Sequence, residues 1–152
     1  MDNDQKFERY YNLSLRYLSY RPRSEKEILD YLKKKKLDEE IIAQIIAKLI
    51  EYKFIDDTAF TKFWIEQRSE YKHKPIRVIR FELLQKGIEK ELIEESLPKQ
   101  SRELDLENAK RLKEKKMDFY RNLDSKKRQE KVMNYLLRKG FSYEIVKKAL
   151  NS

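Results

Sequence analysis

The side chains of this chain that could do chemistry are mostly cations. Its 152 residues carry 36 Lys+Arg against 27 Asp+Glu, a net charge of +9. That charge is uneven. Residues 1–54 net +2, residues 55–98 net −1 and residues 99–152 net +8. The densest group is Lys126, Lys127, Arg128, Lys131, Arg138 and Lys139, with Tyr120, Tyr135 and Tyr143 interleaved. A second group is Arg68, Lys72, Lys74, Arg77 and Arg80. Ammonium and guanidinium groups clustered in this way can neutralise phosphates, so a polyanion, nucleic acid first, is the expected partner. Solvated surface is the plain alternative for the second group. Lys33 to Lys36 suit a phosphate patch and equally the C-terminal end of a helix dipole.

Other chemistries lack their parts. Asp56 and Asp57 are adjacent carboxylates, but nothing nearby completes an acid–base or metal site, and either residue can cap the helix that follows. His73 is the only histidine, and cysteine is absent, so no metal set, thiol nucleophile or disulfide framework can be assembled. No glycine-rich phosphate loop and no Ser/His/Asp set occurs. The expectation is a non-enzymatic binding protein with no cofactor and no metal.

These side chains must be carried on helices. Charged residues make up 41% of the chain, and there are only two glycines and three prolines. That composition favours helix and gives few turns. One pattern recurs three times. Ile79, Leu83, Ile88, Leu92, Ile93 and Leu97 are echoed 51 residues earlier by Ile28, Leu32, Leu37, Ile41, Ile42 and Ile46. They are echoed 53 residues later by Val132, Leu136, Phe141, Ile145, Val146 and Leu150. Gly87 and Gly140 share one repeat position, where Lys36 stands in the first copy. A glycine there can end a helix in the left-handed conformation. Lys36 should make that turn costlier or give it another shape. The next apolar residue (Leu37, Ile88, Phe141) has staple spacing to the new helix, for which Asp38 and Ser142 are good N-cap types and Glu89 a poorer one. A period of this length points to stacked helical units.

Taken in order, helices are expected over residues 6–20, 25–35 and 39–53. Pro22 stops the first, and Ser24 with Glu27 forms a capping box for the second. Phe7, Tyr10, Tyr11, Ser14, Tyr17 and Leu18 form one helical stripe, and Phe60, Phe63, Trp64, Gln67 and Tyr71 another; both read as core. A highly charged helix over 101–116 leads to an irregular connection at 117–124. The expected architecture is all-α: three tandem three-helix repeats, 1–54, 55–98 and 99–152, forming an elongated, curved array. The acidic, polar start is unlike a signal peptide, and no apolar run is long enough for a bilayer. A soluble cytoplasmic protein with no membrane partner is expected.

Particular motifs carry a resemblance. They are Arg21-Pro22-Arg23-Ser24 with Glu27-Ile28; Ile55-Asp56-Asp57 followed by Phe60; Glu82-Leu83-Leu84-Gln85-Lys86-Gly87-Ile88; and Leu137-Arg138-Lys139-Gly140-Phe141-Ser142-Tyr143-Glu144-Ile145. In this order, over residues 10–150, the chain resembles the RecX family, regulators of the bacterial recombinase RecA. It departs in carrying Lys36 where the family often has glycine, and Lys74-Pro75 in place of Gly-Pro. The resemblance implies a curved, monomeric all-α protein that binds the helical groove of the RecA–DNA filament. It also implies suppression of ATP hydrolysis and strand exchange, and binding to single- and double-stranded DNA. The other reading is a DNA-binding module of the helix-turn-helix type, acting as a transcription regulator.

Overall fold

The computed structural model describes residues 1–152. The protein is all-α, with nine α-helices and no strand: α1 Asn3–Tyr20, α2 Glu25–Lys33, α3 Glu39–Glu51, α4 Asp57–Glu66, α5 Ile76–Gln85, α6 Lys90–Ser96, α7 Ser101–Phe119, α8 Ser125–Arg138 and α9 Tyr143–Leu150. A π-helical turn, Gln67–Tyr71, continues α4. No helix is long and apolar enough to cross a membrane.

The chain forms two units. One comprises residues 1–63 and 83–93, the other residues 64–82 and 94–152. In the first, α1, α2 and α3 close over Tyr11, Ile28, Leu32, Ile41, Ile42, Ile45, Leu49 and Ile55. In the second, α7, α8 and α9 close over Ala109, Leu112, Val132, Leu136, Phe141, Ile145, Val146 and Ala149. Every apolar position matched across the three copies of the repeat is buried or half-buried.

Local chemistry sets the helix ends. Asp2 accepts from the Gln5 N–H while the Gln5 side chain accepts from Asp2 N–H, so α1 starts three residues before the expected position 6. The Ser24/Glu27 capping box forms as read. Ser142 accepts from Ile145 N–H and caps α9. Asp38 stands at the N-cap of α3 but makes no side-chain capping bond. Asp56 caps α4, accepting from the Thr58 and Ala59 N–H groups. Helix α7 runs on to Phe119, so the connection to α8 is shorter than the expected 117–124.

The turns behave as a set. Gly87 and Gly140 have φ of 79° and 104°, and Lys36 takes the same left-handed conformation at 58°. Lys36 bears the strain of that conformation, and its turn closes with Lys35 N–H on Leu32 O and Lys36 N–H on Lys33 O. At Gly87 the Ile88 N–H donates to Leu83 O and the Gly87 N–H to Leu84 O. At Gly140 the Phe141 N–H donates to Leu136 O and the Gly140 N–H to Leu137 O. Both are Schellman turns. The α1 stripe is core, as read, with Tyr11 and Ser14 buried. The α4 stripe holds at Phe60 and Trp64, with Phe63 half-buried, but fails at Gln67 and Tyr71, which are exposed. The π-helical turn is wider than an α-turn, which rotates the later residues off the stripe and buries Ser69 instead.

Candidate nucleic-acid interface

Helix α8 carries the largest cationic group. Asp124 caps it, accepting from Lys127 N–H at 2.9 Å. Val132 and Leu136 face the core. Lys127, Lys131 and Arg138, at steps of four and seven residues, share the opposite, exposed face. Lys126 is also exposed, and none of Lys126, Lys127 and Arg138 is held in an ion pair. Lys139 is half-buried, with Nζ 5.5 Å from the centre of the Tyr135 ring.

Arg128 is used differently. Its Nη2 donates to the carbonyls of Leu123 at 2.9 Å and Arg121 at 3.2 Å, closing the turn between α7 and α8. The guanidinium is turned toward the protein's own backbone rather than outward.

The second group is divided in the same way. Arg68 lies 4.2 Å above the Trp64 ring, and its Nε is 3.5 Å from Glu82 Oε1. Lys74 Nζ is 3.1 Å from Glu82 Oε2. Arg80 grips Glu94 with Nε at 2.7 Å and Nη2 at 3.4 Å, and that hydrogen bond holds the Glu94 carboxyl below its ordinary pKa. Arg68, Lys74 and Arg80 therefore already have anions. Lys72 and Arg77 are exposed without one. Arg77 also reaches the Gly140 turn, its Nη2 lying 3.7 Å from where a Cβ would stand on that glycine. The fold thus brings Arg77 to the turn that follows Arg138 and Lys139, although some sixty residues separate them in the chain.

Aromatic rings line the same unit. Lys116 Nζ sits 4.8 Å from the Phe119 ring centre and 4.5 Å from that of Tyr135. Lys131 lies 5.9 Å from Tyr120, and Lys147 5.4 Å from Tyr143. Phe119 and Lys116 were not singled out from the sequence. The signal available was two adjacent lysines ahead of an aromatic pair, Phe119-Tyr120, near a helix end.

The residues read as turns hold the neighbouring helices. In the first unit, Ser24 Oγ donates to Lys86 O at 2.7 Å, and a Cβ on Gly87 would stand 2.6 Å from Lys26 Cβ. Glu27 there receives Arg21, the Ser24 N–H and Lys86. Burial pushes its carboxyl up, but those bonds and charges outweigh it and the net direction is down. In the second unit, Asp105 accepts from the Ile76 N–H at 2.9 Å, and burial pushes its carboxyl up. His73 is buried at the end of the π-helical turn, in the left-handed conformation at φ 54°. No group of three or more potential metal ligands is present.

Comparison with known proteins agrees along the chain. The models of the first, second and third three-helix domains of RecX match residues 11–49, 56–97 and 103–150. Regulatory protein RecX of Bacillus pumilus is 39% identical over 88% of this chain and 51% of its own length. That of Streptococcus pyogenes serotype M2 is 38% identical over 92% of this chain and 54% of its own. The chain spans about half the length of the curated relatives it matches. A crystal structure of RecX from Lactobacillus salivarius superposes with a TM-score of 0.74 at 31% identity, covering 97% of this chain and 96% of that one. Another crystal structure of regulatory protein RecX gives 0.75 at 31%, covering 99% and 74%. Three domain matches in order and a solved relative covered almost end to end place this chain in the RecX family.

Proposed function

We propose that this protein is a non-enzymatic modulator of RecA, binding in the groove of the RecA–DNA filament and suppressing ATP hydrolysis and strand exchange. The observation that carries the reading is the ordered match to all three RecX domains. The charge geometry supports a nucleic-acid contact within it. Lys126, Lys127, Lys131 and Arg138 lie exposed on one helix, with Arg77 beside the turn that follows. They suit sequence-independent contact with a phosphate backbone, because exposed cations spread along a helix face neutralise phosphates whatever the base. Of the second group, Arg68, Lys74 and Arg80 are held by Glu82 and Glu94, which leaves Lys72 with Arg77 as the exposed cations for a DNA or RecA contact. The protein acts as a monomer in the cytoplasm, where the filament forms, with domains bounded near residues 54 and 98.

The test is RecA's ATPase on single-stranded DNA, titrated with the protein at sub-stoichiometric ratios. Inhibition is expected. Undiminished hydrolysis at moderate salt would overturn the proposal.

A further inference from the structure

We propose that Phe119 is a stacking platform for an unpaired nucleobase, so that the third-domain interface prefers single-stranded over double-stranded nucleic acid. This rests on the polyanion contact proposed above and adds a base contact to it. Phe119 ends α7 and is 68% exposed, although Met117 and Leu123 on either side are half-buried. Single exposed rings are ordinary, and Tyr71 and Phe81 of the same unit are exposed as well, so it is the surroundings of Phe119 that say what it can bind. Tyr120 packs against it in a T-shaped pair, centroids 4.9 Å apart at 82°, which fixes the ring's orientation. Lys116 Nζ lies over one face of the ring, 4.8 Å from its centre, so a base would take the other face; the same ammonium lies 4.5 Å from Tyr135, which Lys139 approaches in turn. Lys131 approaches Tyr120. The nearby carboxylate, Asp118, faces Arg121 at 3.8 Å.

One cation, Lys116, therefore stands at the ring, and Lys131 and Lys139 stand at the adjoining rings of Tyr120 and Tyr135. Bases stack on such a ring while the phosphates on either side meet lysines. In a duplex the base faces are already occupied by their neighbours, so the ring has nothing to stack on unless a step is unstacked. An apolar protein partner would also cover Phe119, but would gain nothing from the ammonium of Lys116 beside it.

The test uses fluorescence anisotropy with a labelled 15-nucleotide oligothymidylate, an abasic oligomer of the same length and charge, and a 15-base-pair duplex. Phe119→Ala should weaken the oligothymidylate by about 5- to 50-fold. It should leave the abasic oligomer and the duplex unchanged, and also the salt dependence. Phe119→Trp should restore binding, and its added emission should be quenched by oligothymidylate but not by the abasic oligomer. Because the side chain is exposed, both variants should keep the wild-type helix content. Equal affinity of wild type and Phe119→Ala for oligothymidylate, or equal loss on thymidylate and abasic oligomers, overturns the stacking role alone. Unchanged oligomer binding with lost RecA inhibition would assign Phe119 to a protein contact and likewise overturn it. Failure of the wild type to bind any of the three at low salt would overturn the underlying phosphate contact as well.

Discussion

At one step of the repeat, three residues share a positive φ, but only two of them are glycine. The difference lies in what touches them. A Cβ on Gly87 would meet Lys26 Cβ at 2.6 Å, and one on Gly140 would meet Val78 Cγ2 at 2.7 Å. Lys36 is exposed. Left-handed backbone alone costs an ordinary residue about 1 kcal/mol, which a lysine can bear; a clash with a β-branched side chain adds to it. Gly140→Ala should therefore cost about 2–3 kcal/mol, with Gly140→Val costlier still, whereas Lys36→Gly should gain up to about 1 kcal/mol. Urea unfolding of the three variants checks this. Equal costs for an added side chain at any exposed left-handed position and at Gly140 would show that contact does not matter. The repeat position of these residues was legible in the sequence. The reason glycine is needed at two of them was not, because Lys26 and Val78 lie some sixty residues away along the chain.

At the scale of helices, one device occurs once in each unit. The first N–H of α2, at Glu25, donates to Asp57 Oδ1 at 2.9 Å, and the first N–H of α5, at Ile76, donates to Asp105 Oδ1 at 2.9 Å. Each helix start is thus capped by a carboxylate from another helix, 32 and 29 residues onward. Burial pushes both carboxyls up, with the amide hydrogen bond pulling the other way and, for Asp57, Asp56, Glu27 and Glu89 adding to the rise. The raised native pKa means the folded state binds a proton more tightly than the unfolded chain. Each Asp therefore adds stability as pH falls through its native pKa toward 3.8, the ordinary value. Glu27 works in the opposite sense. Its lowered pKa gives stability present above about 4.5 and lost as pH falls through the native value. Asp105→Asn keeps an acceptor for Ile76 N–H while removing the buried charge. It should be neutral or stabilising at pH 7 and should abolish the gain this site gives near pH 4. Asp105→Ala should cost about 1 kcal/mol at both pH values. Chemical denaturation at the two pH values separates these outcomes; an Asn variant as damaged as the Ala variant would show that the charge itself is needed. Local caps such as Ser24 with Glu27 and Ser142 could be read from spacing of three residues. Asp57 and Asp105 could not, since their donors are distant, and adjacency made Asp57 look like a second cap for its own helix.

Across the whole molecule, the charge carried by residues 99–152 sets how binding should respond to salt. Sequence alone counts Lys126, Lys127, Arg128, Arg138 and Lys139 as five equivalent cations. Geometry makes them unequal. Arg128 is committed to the carbonyls of Arg121 and Leu123, and Lys139 lies half-buried against Tyr135, while Lys126, Lys127 and Arg138 are exposed and Arg77 joins them at the Gly140 turn. Each phosphate neutralised on a duplex contributes about −0.9 to the slope of log affinity against log salt, so four or five contacts give a slope of about −3.6 to −4.5. Replacing Arg77, Lys126, Lys127 and Arg138 with alanine should flatten that slope by about 3 to 4 while leaving thermal stability near wild type. Arg128→Ala should do the reverse. It leaves two turn carbonyls without their donor and should cost about 1–2 kcal/mol of stability, with little change in slope. Duplex binding measured between low and moderate salt, paired with a melting curve for each variant, distinguishes the two. A slope that falls for Arg128→Ala but not for the quadruple variant would mean that the exposed face of α8 is not where the phosphates lie.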